Sequence, residues 1–233
     1  MKIKLSSYQL KIIAIIAMTI DHIAWLFVKT ASPAGFIMHF IGRLTAPVFC
    51  FLVSEGYAHT RDIRKYTVRM ALFAALSIPA FSYYMSGRIF PPEGLGMIYT
   101  LALGLIAIAV LDSDDLAPAA KMLMVAAILA LSFFGDWPVI GTALVILFYR
   151  FRDDRAALLR YYSLVIAVFI LTGTIGSGRF DWTFLTHIGM FQFIPLYLAY
   201  SGELGGNKHL KYFFYIYYPV HLALIRFIYT MTK

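Results

Sequence analysis

The chain has 233 residues, with 20 Lys and Arg against 12 Asp and Glu, a formal net charge of +8, 61% hydrophobic residues and only 14% charged ones. Soluble domains hold roughly 45–50% apolar and about 25% charged residues, so a soluble globule is excluded. A disordered or collagen-like chain fails on the same apolar content, and a single cysteine rules out a disulfide scaffold. What remains is an all-α, polytopic transmembrane helix bundle.

The first apolar run, 10–28, is long for a signal-peptide core and no small-residue cleavage pattern follows it, so it reads as the first span. Apolar runs bounded by polar or Pro/Gly clusters then place spans at 8–28, 34–55, 67–85, 96–111, 120–135, 137–149, 158–175, 183–201 and 212–231. The expectation is about nine spans, within a range of eight to ten. The fifth and sixth are short and meet at Gly135-Asp136-Trp137-Pro138, which suits a tight hairpin or a partly re-entrant pair. No soluble domain, linker or internal repeat interrupts the series, so 1–233 reads as a single transmembrane domain.

Short cytoplasmic loops carry an excess of Lys and Arg. With a cytoplasmic amino terminus that side collects Lys2, Lys4, Lys11, Arg61, Arg64, Lys65, Arg69, Lys121, Arg150, Arg152, Arg155, Arg160, Lys208 and Lys211. The opposite side receives Lys29, Arg88, Arg179 and Lys233, while Arg43 and Arg226 fall within spans. Topology thus accounts for the positive charge, and no nucleic-acid partner is expected. Trp25, Trp137 and Trp182 all come near the outer ends of their spans, where tryptophan favours the membrane interface.

Ionisable side chains deep in a bilayer cost about 2.5–3.5 kcal/mol each by insertion scales, so those within spans are the candidates for function. Asp21 and His22 lie about 10 Å below the outer end of the first span, and Arg43 about 14 Å below the same surface. His221, in Tyr217-Tyr218-Pro219-Val220-His221, sits about 14 Å above the cytoplasmic end of the last span. Three spans therefore deliver polar groups to one layer, with Asp21 and Arg43 the natural ion pair. Pro219 removes a backbone donor and frees a carbonyl one turn earlier. Each group has a plainer reading: an interhelix bridge for Asp21 and Arg43, and a neutral hydrogen-bonded imidazole for His22 and His221. His39, His187 and His209 read as interfacial or loop residues, and Cys50 as a packing residue.

A second cluster follows the second span: Glu55, His59, Arg61, Arg64, Lys65 and Arg69. Basic forks at a membrane surface suit phosphates, although the positive-inside bias alone also places basic residues there. The chain has no Walker A loop, no G-x-G-x-x-G after a strand, no C-x-x-C, no H-E-x-x-H and no G-x-S-x-G. Its histidines are scattered one to a span, so no metal site is expected.

These residues resemble the TraX family of integral membrane proteins, whose name-giving member acetylates the amino terminus of a conjugative pilin. The likeness runs nearly end to end. Its elements are Leu10-Lys11-Ile12-Ile13-Ala14 leading into Met18-Thr19-Ile20-Asp21-His22, Gly42-Arg43-Leu44 with Pro47 and Phe49, and Glu55-Gly56-Tyr57 with His59-Thr60-Arg61, Tyr66 and Arg69. Thr100-Leu101 with Gly104, and the closing Tyr218-Pro219-Val220-His221-Leu222, complete it. Met97 departs from the pattern, where an Asn is expected shortly before the Thr-Leu pair.

The family looks related to membrane acyltransferases of the heparan glucosaminide acetyltransferase type. The resemblance implies a multi-pass protein of the bacterial inner membrane that uses acetyl-CoA from the cytoplasmic side. It also implies an essential histidine in an early span, here His22, and makes His59, Arg61, Arg64, Lys65 and Arg69 a neighbourhood for CoA phosphates. His22 would act as general base or acyl carrier, with Asp21, Arg43 and His221 around it. The acceptor would be an amine or hydroxyl on a pilin amino terminus, a glycan or a lipid headgroup. Two other classes remain open at this point: a small proton-coupled transporter, and a noncatalytic partner in pilin or envelope assembly.

Overall fold

The computed structural model describes residues 4–90, 92–176, 178, 180–206 and 210–233. Lys2, Arg179, Lys208 and His209, which entered the orientation and histidine readings above, lie outside the described residues. The described residues form helices and an isolated bridge between Leu5 and Tyr200, with no strand among them.

In chain order the α-helices are α1 (Ser7–Phe27), α2 (Pro33–Gly42), α3 (Thr45–His59), α4 (Ile63–Ser86), α5 (Gly96–Asp112), α6 (Pro118–Leu131), α7 (Ile140–Arg150), α8 (Arg155–Ile175), α9 (Phe193–Ala199) and α10 (Leu210–Met231). Two 3-10 helices, Ser132–Phe134 and Trp182–Gln192, follow α6 and precede α9. Every predicted apolar run carries a helix. Among the described residues four helical stretches are long and apolar enough to cross a membrane: Ser7–Phe27, Pro33–His59, Ile63–Ser86 and Arg155–Ile175.

Two runs depart from a plain α-helical span. The second divides into α2 and α3 around Arg43 and Leu44 because Pro47 lacks an N–H, and its ring would strike the Arg43 carbonyl in a continuous helix. The eighth opens as an eleven-residue 3-10 helix, and Pro195, two residues into α9, bars the regular bond to the Phe191 carbonyl in the same way. Helix starts follow ordinary capping chemistry. Ser6 and Gln9 form a reciprocal capping box at α1, Ser32 caps α2 with Pro33 in its first turn, and Asp62 caps α4.

The chain divides into two compact units. The first comprises Met1–Phe49, Arg155–Phe214 and Phe227–Lys233. Within it α1 packs on α2, and the 3-10 helix Trp182–Gln192 packs on α2, α8 and α9. Leu10, Ala14, Ala17, Asp21 and Ala24 recur at three- and four-residue spacing and are all buried, so α1 turns one narrow stripe inward and carries Asp21 on it. The Thr45 hydroxyl donates to the Ala14 carbonyl (3.1 Å), and the Gln192 amide to the Phe40 carbonyl (2.7 Å).

The second unit, Cys50–Asp154 and Tyr215–Arg226, is built on α5, which contacts α4, α6 and α7. Gly104 brings α5 hard against Val145 of α7, where a β-carbon would have no room. Arg226 donates to the Tyr84 carbonyl (3.2 Å) near the end of α4, and Gly87 closes that helix at φ 78°. The exposed faces of α4 and α8 carry Leu72, Leu76, Leu164 and Leu171, as expected of helices that meet hydrocarbon rather than water.

Candidate active site

In the first unit, Asp21 is the centre of a buried polar cluster drawn from α1, α2 and the turn between them. The His39 imidazole lies with Nδ1 2.8 Å from Asp21 Oδ1. On the other carboxylate oxygen, the Trp25 indole N–H donates from 3.3 Å and Arg43 Nη1 stands at 3.5 Å. The guanidinium of Arg43 also lies 5.7 Å from the centre of the Trp25 ring. Beyond His39, its Nε2 is 3.4 Å from the Thr30 hydroxyl. With Nδ1 donating to the carboxylate, Nε2 is left to accept from Thr30, so one tautomer satisfies the whole chain.

Local sequence explains the approach. His39 and Arg43 are four residues apart and share a face of α2, while Trp25 stands one turn beyond Asp21 on α1. Gly42 makes the contact between the helices feasible, because a β-carbon there would overlap the Asp21 side chain. The turn is braced as well. The Lys29 carbonyl accepts from both the backbone N–H (2.9 Å) and the hydroxyl (2.7 Å) of Ser32, and Gly35 leaves that carbonyl room.

The structure brings Asp21 and Arg43 together as expected. It differs over His39, which the sequence reading leaves at the interface: that imidazole is fully buried and holds the shortest contact to Asp21. His22 is half-buried on α1. His187, also assigned to an interface or loop, is half-buried, stacks on Phe184 at 4.1 Å and donates to its carbonyl. His221 belongs to the second unit, where it is buried, donates to the Tyr217 carbonyl (2.9 Å) and stacks on the Tyr217 ring at 5.0 Å. Next to it, the Tyr218 hydroxyl accepts from the Met97 N–H (3.0 Å).

The basic cluster also lies in the second unit. His59 Nδ1 donates to the Glu55 carbonyl (2.8 Å) at the end of α3, Arg61 and Arg64 are exposed, and Lys65 pairs with Asp62 at 3.1 Å. The Lys65 backbone N–H and side chain hold the Asp62 carboxyl below its usual range. Arg69 is set deeper. Its guanidinium lies 5.1 Å from the Tyr66 ring and 5.9 Å from the Tyr215 ring, and its Nε is buried with no hydrogen-bond partner among the described residues. A buried donor left over in this way is suited to an anionic oxygen. Among the described residues no group of three or more His, Cys, Asp or Glu could hold a metal ion. A separate cavity of about 630 Å³ lies between the turn before α5 and the α6–α7 hairpin, and its lining includes Glu93 and Asp136 but no histidine, cysteine, serine or threonine.

What the Asp21 cluster can do chemically follows from its order: hydroxyl, imidazole, carboxylate. The carboxylate fixes the tautomer and the ring, and the other imidazole nitrogen, which faces the Thr30 hydroxyl, can take a proton. The model of the TraX protein family matches residues 6–229, nearly the whole chain. The chain belongs to the TraX family. It is also 32% identical over 237 aligned residues to the probable fimbrial assembly protein FimC, serogroup H1, of Dichelobacter nodosus, with 96% of this chain and 95% of that protein covered. No solved structure matches it. The match thus joins both units of this TraX protein, the Asp21 cluster and the basic turn alike, within one family model.

Proposed function

We propose that this TraX-family protein is a multi-pass acetyltransferase of the bacterial inner membrane, moving an acetyl group from acetyl-CoA to an amine or hydroxyl of an exported envelope component. The observation that carries the reading is the buried Asp21–His39 pair, braced by Arg43 and Trp25. Acyl transfer requires that a proton leave the nucleophile as it attacks the thioester. An imidazole held on a carboxylate is suited to take that proton. The family likeness implies His22 for that role, whereas the geometry favours His39. Arg61, Arg64, Lys65 and Arg69 are the groups assigned to CoA phosphates, with the Arg69 Nε the donor still to be satisfied.

The test is CoA release by purified protein from labelled acetyl-CoA, with hydroxylamine as acceptor. His39→Gln is expected to lower the rate by about 10²–10⁴-fold, the usual worth of a general base, with His22→Gln affected far less. A loss confined to His22→Gln returns the base to His22. Activity unchanged in both variants removes the site. A second reading, a noncatalytic partner in fimbrial assembly, is favoured by the name of the Dichelobacter nodosus relative. It predicts that both histidine variants support fimbriation as the parent does, and that the protein releases no CoA.

A further inference from the structure

Arg43 meets a carboxylate and Arg226 a carbonyl, but Arg69 is held by rings. Its guanidinium lies beside Tyr66 and Tyr215, and Tyr215 stacks in turn on Phe73 at 4.6 Å. All four residues belong to the second unit. Among the described residues no carboxylate pairs with Arg69. Ring faces attract a cation but carry no net charge, so the positive charge that α4 takes toward the bilayer has no counter-charge among them.

The residues along α4 select the anion. Lys65, Arg69, Leu72 and Leu76 recur at spacings of four, three and four, so they form one stripe on the helix. Lys65, 84% exposed, is paired with Asp62, and Arg69 follows half-buried about 9 Å along the helix axis from Ile63. Leu72 and Leu76 come next, 59% and 66% exposed. Helical side chains lean toward the amino-terminal end, so Arg69 reaches back toward the surface at which α4 begins. The stripe thus runs from charge to hydrocarbon in the order of a headgroup and its acyl chain. Lys65 and Asp62 cancel, which leaves one positive charge for the single negative charge of a phosphodiester. A soluble phosphate meets that charge but has nothing to lay along the two leucines.

We infer that Arg69 holds the phosphate of an anionic phospholipid in the leaflet where α4 begins, with an acyl chain along Leu72 and Leu76. Nε is enclosed, so the contact falls to the outer guanidinium nitrogens. The exposed Arg61 and Arg64 nearby favour an acidic headgroup over a zwitterionic one. Arg69 then serves the lipid, and Arg61, Arg64 and Lys65 remain for CoA. The site does not depend on acyl transfer.

The experiment uses the full chain, stripped of lipid in detergent and titrated separately with phosphatidylglycerol, phosphatidylcholine and CoA, with bound ligand counted by native mass spectrometry. One phosphatidylglycerol per chain is expected, bound about 10-fold more tightly than phosphatidylcholine. Arg69→Gln is expected to erase that preference and Arg69→Lys to keep most of it, while CoA binds Arg69→Gln as it binds the parent. A second measurement needs no variant. Phosphatidylglycerol with a diazirine on its acyl chain, irradiated with the parent in phosphatidylcholine nanodiscs, is expected to label the peptide that holds Leu72 and Leu76, and unlabelled phosphatidylglycerol to suppress the labelling. Equal affinity for the two lipids, a preference that survives Arg69→Gln, or label confined to other helices overturns the inference. CoA binding lost in Arg69→Gln with lipid binding unchanged overturns it too, and gives Arg69 to the CoA phosphates.

Discussion

Asp21 meets three side chains, the His39 imidazole, the Trp25 indole and the Arg43 guanidinium, and the energetics of that arrangement are lopsided. Removing one member of a buried ion pair strands the other, a loss of about 3–5 kcal/mol, whereas replacing both with apolar groups is often near neutral. Asp21→Leu is therefore expected to lower the unfolding temperature in detergent sharply, and Asp21→Leu combined with Arg43→Leu to recover most of it while remaining inactive. Thermal melts of the two single variants and the double variant check this. Much of the cluster was legible in the sequence. Asp21 falls on the inward stripe of α1, and the pairing with Arg43 follows from the cost of a lone charge in lipid. The place of His39 was within reach too, since a residue four positions before Arg43 shares its face and points to the same partner. His39 also lies near the outer end of its span, and that proximity points to an interface residue, the opposite of what the spacing implies. Thr30 had no such signal, because a turn has no periodicity from which to read direction.

At the scale of elements, Gly42 and Pro47 act together. The proline ends α2 before its face rotates away from α1, and the glycine lets that end close on Asp21. Gly42→Ala is expected to push the helices apart at a cost of about 1–3 kcal/mol and to open the Asp21–His39 contact. A histidine ring resonance in the NMR spectrum shifting toward that of Asp21→Asn reads the second effect. Pro47 was visible in the sequence, but hydropathy runs see only how long an apolar stretch is, and so α2 and α3 read as one span. The same blindness to helical pitch hid the 3-10 winding of Trp182–Gln192. At the start of α4 the depressed Asp62 carboxyl gives a pH dependence with a definite sign. A folded value below the unfolded one makes the cap fully effective above about pH 4 and lost as pH falls through the folded value. Amide exchange at Lys65 is expected to quicken in that acid range, and Asp62→Asn, which caps without titrating, to remove the dependence.

Across the whole molecule, helix length limits what can cross a bilayer. Among the described residues four stretches are long and apolar enough as they stand. The 3-10 helix rises about 2.0 Å per residue, against 1.5 Å in α9. Together Trp182–Gln192 and Phe193–Ala199 therefore reach on the order of 30 Å, about the hydrocarbon thickness. If the chain crosses nine times from a cytoplasmic amino terminus, as its apolar runs and basic residues lead one to expect, the end of α10 lies outside. An alkaline phosphatase fused after Met231 is expected to be active, and one fused after His59 inactive; the reverse pattern refutes the orientation.

The Asp21 cluster has an electrical consequence. Carboxylate and guanidinium cancel, so the site presents little net charge to the membrane voltage, which acts on a moving elementary charge with about 2.3 kcal/mol per 100 mV. On the acyl-transfer reading the proton it handles travels only between His39 and the groups against it, a short path compared with the full bilayer. Turnover in sealed vesicles should then be indifferent to an imposed potassium diffusion potential, and that indifference sets a group-transfer catalyst apart from a carrier that drives ions through the same helices.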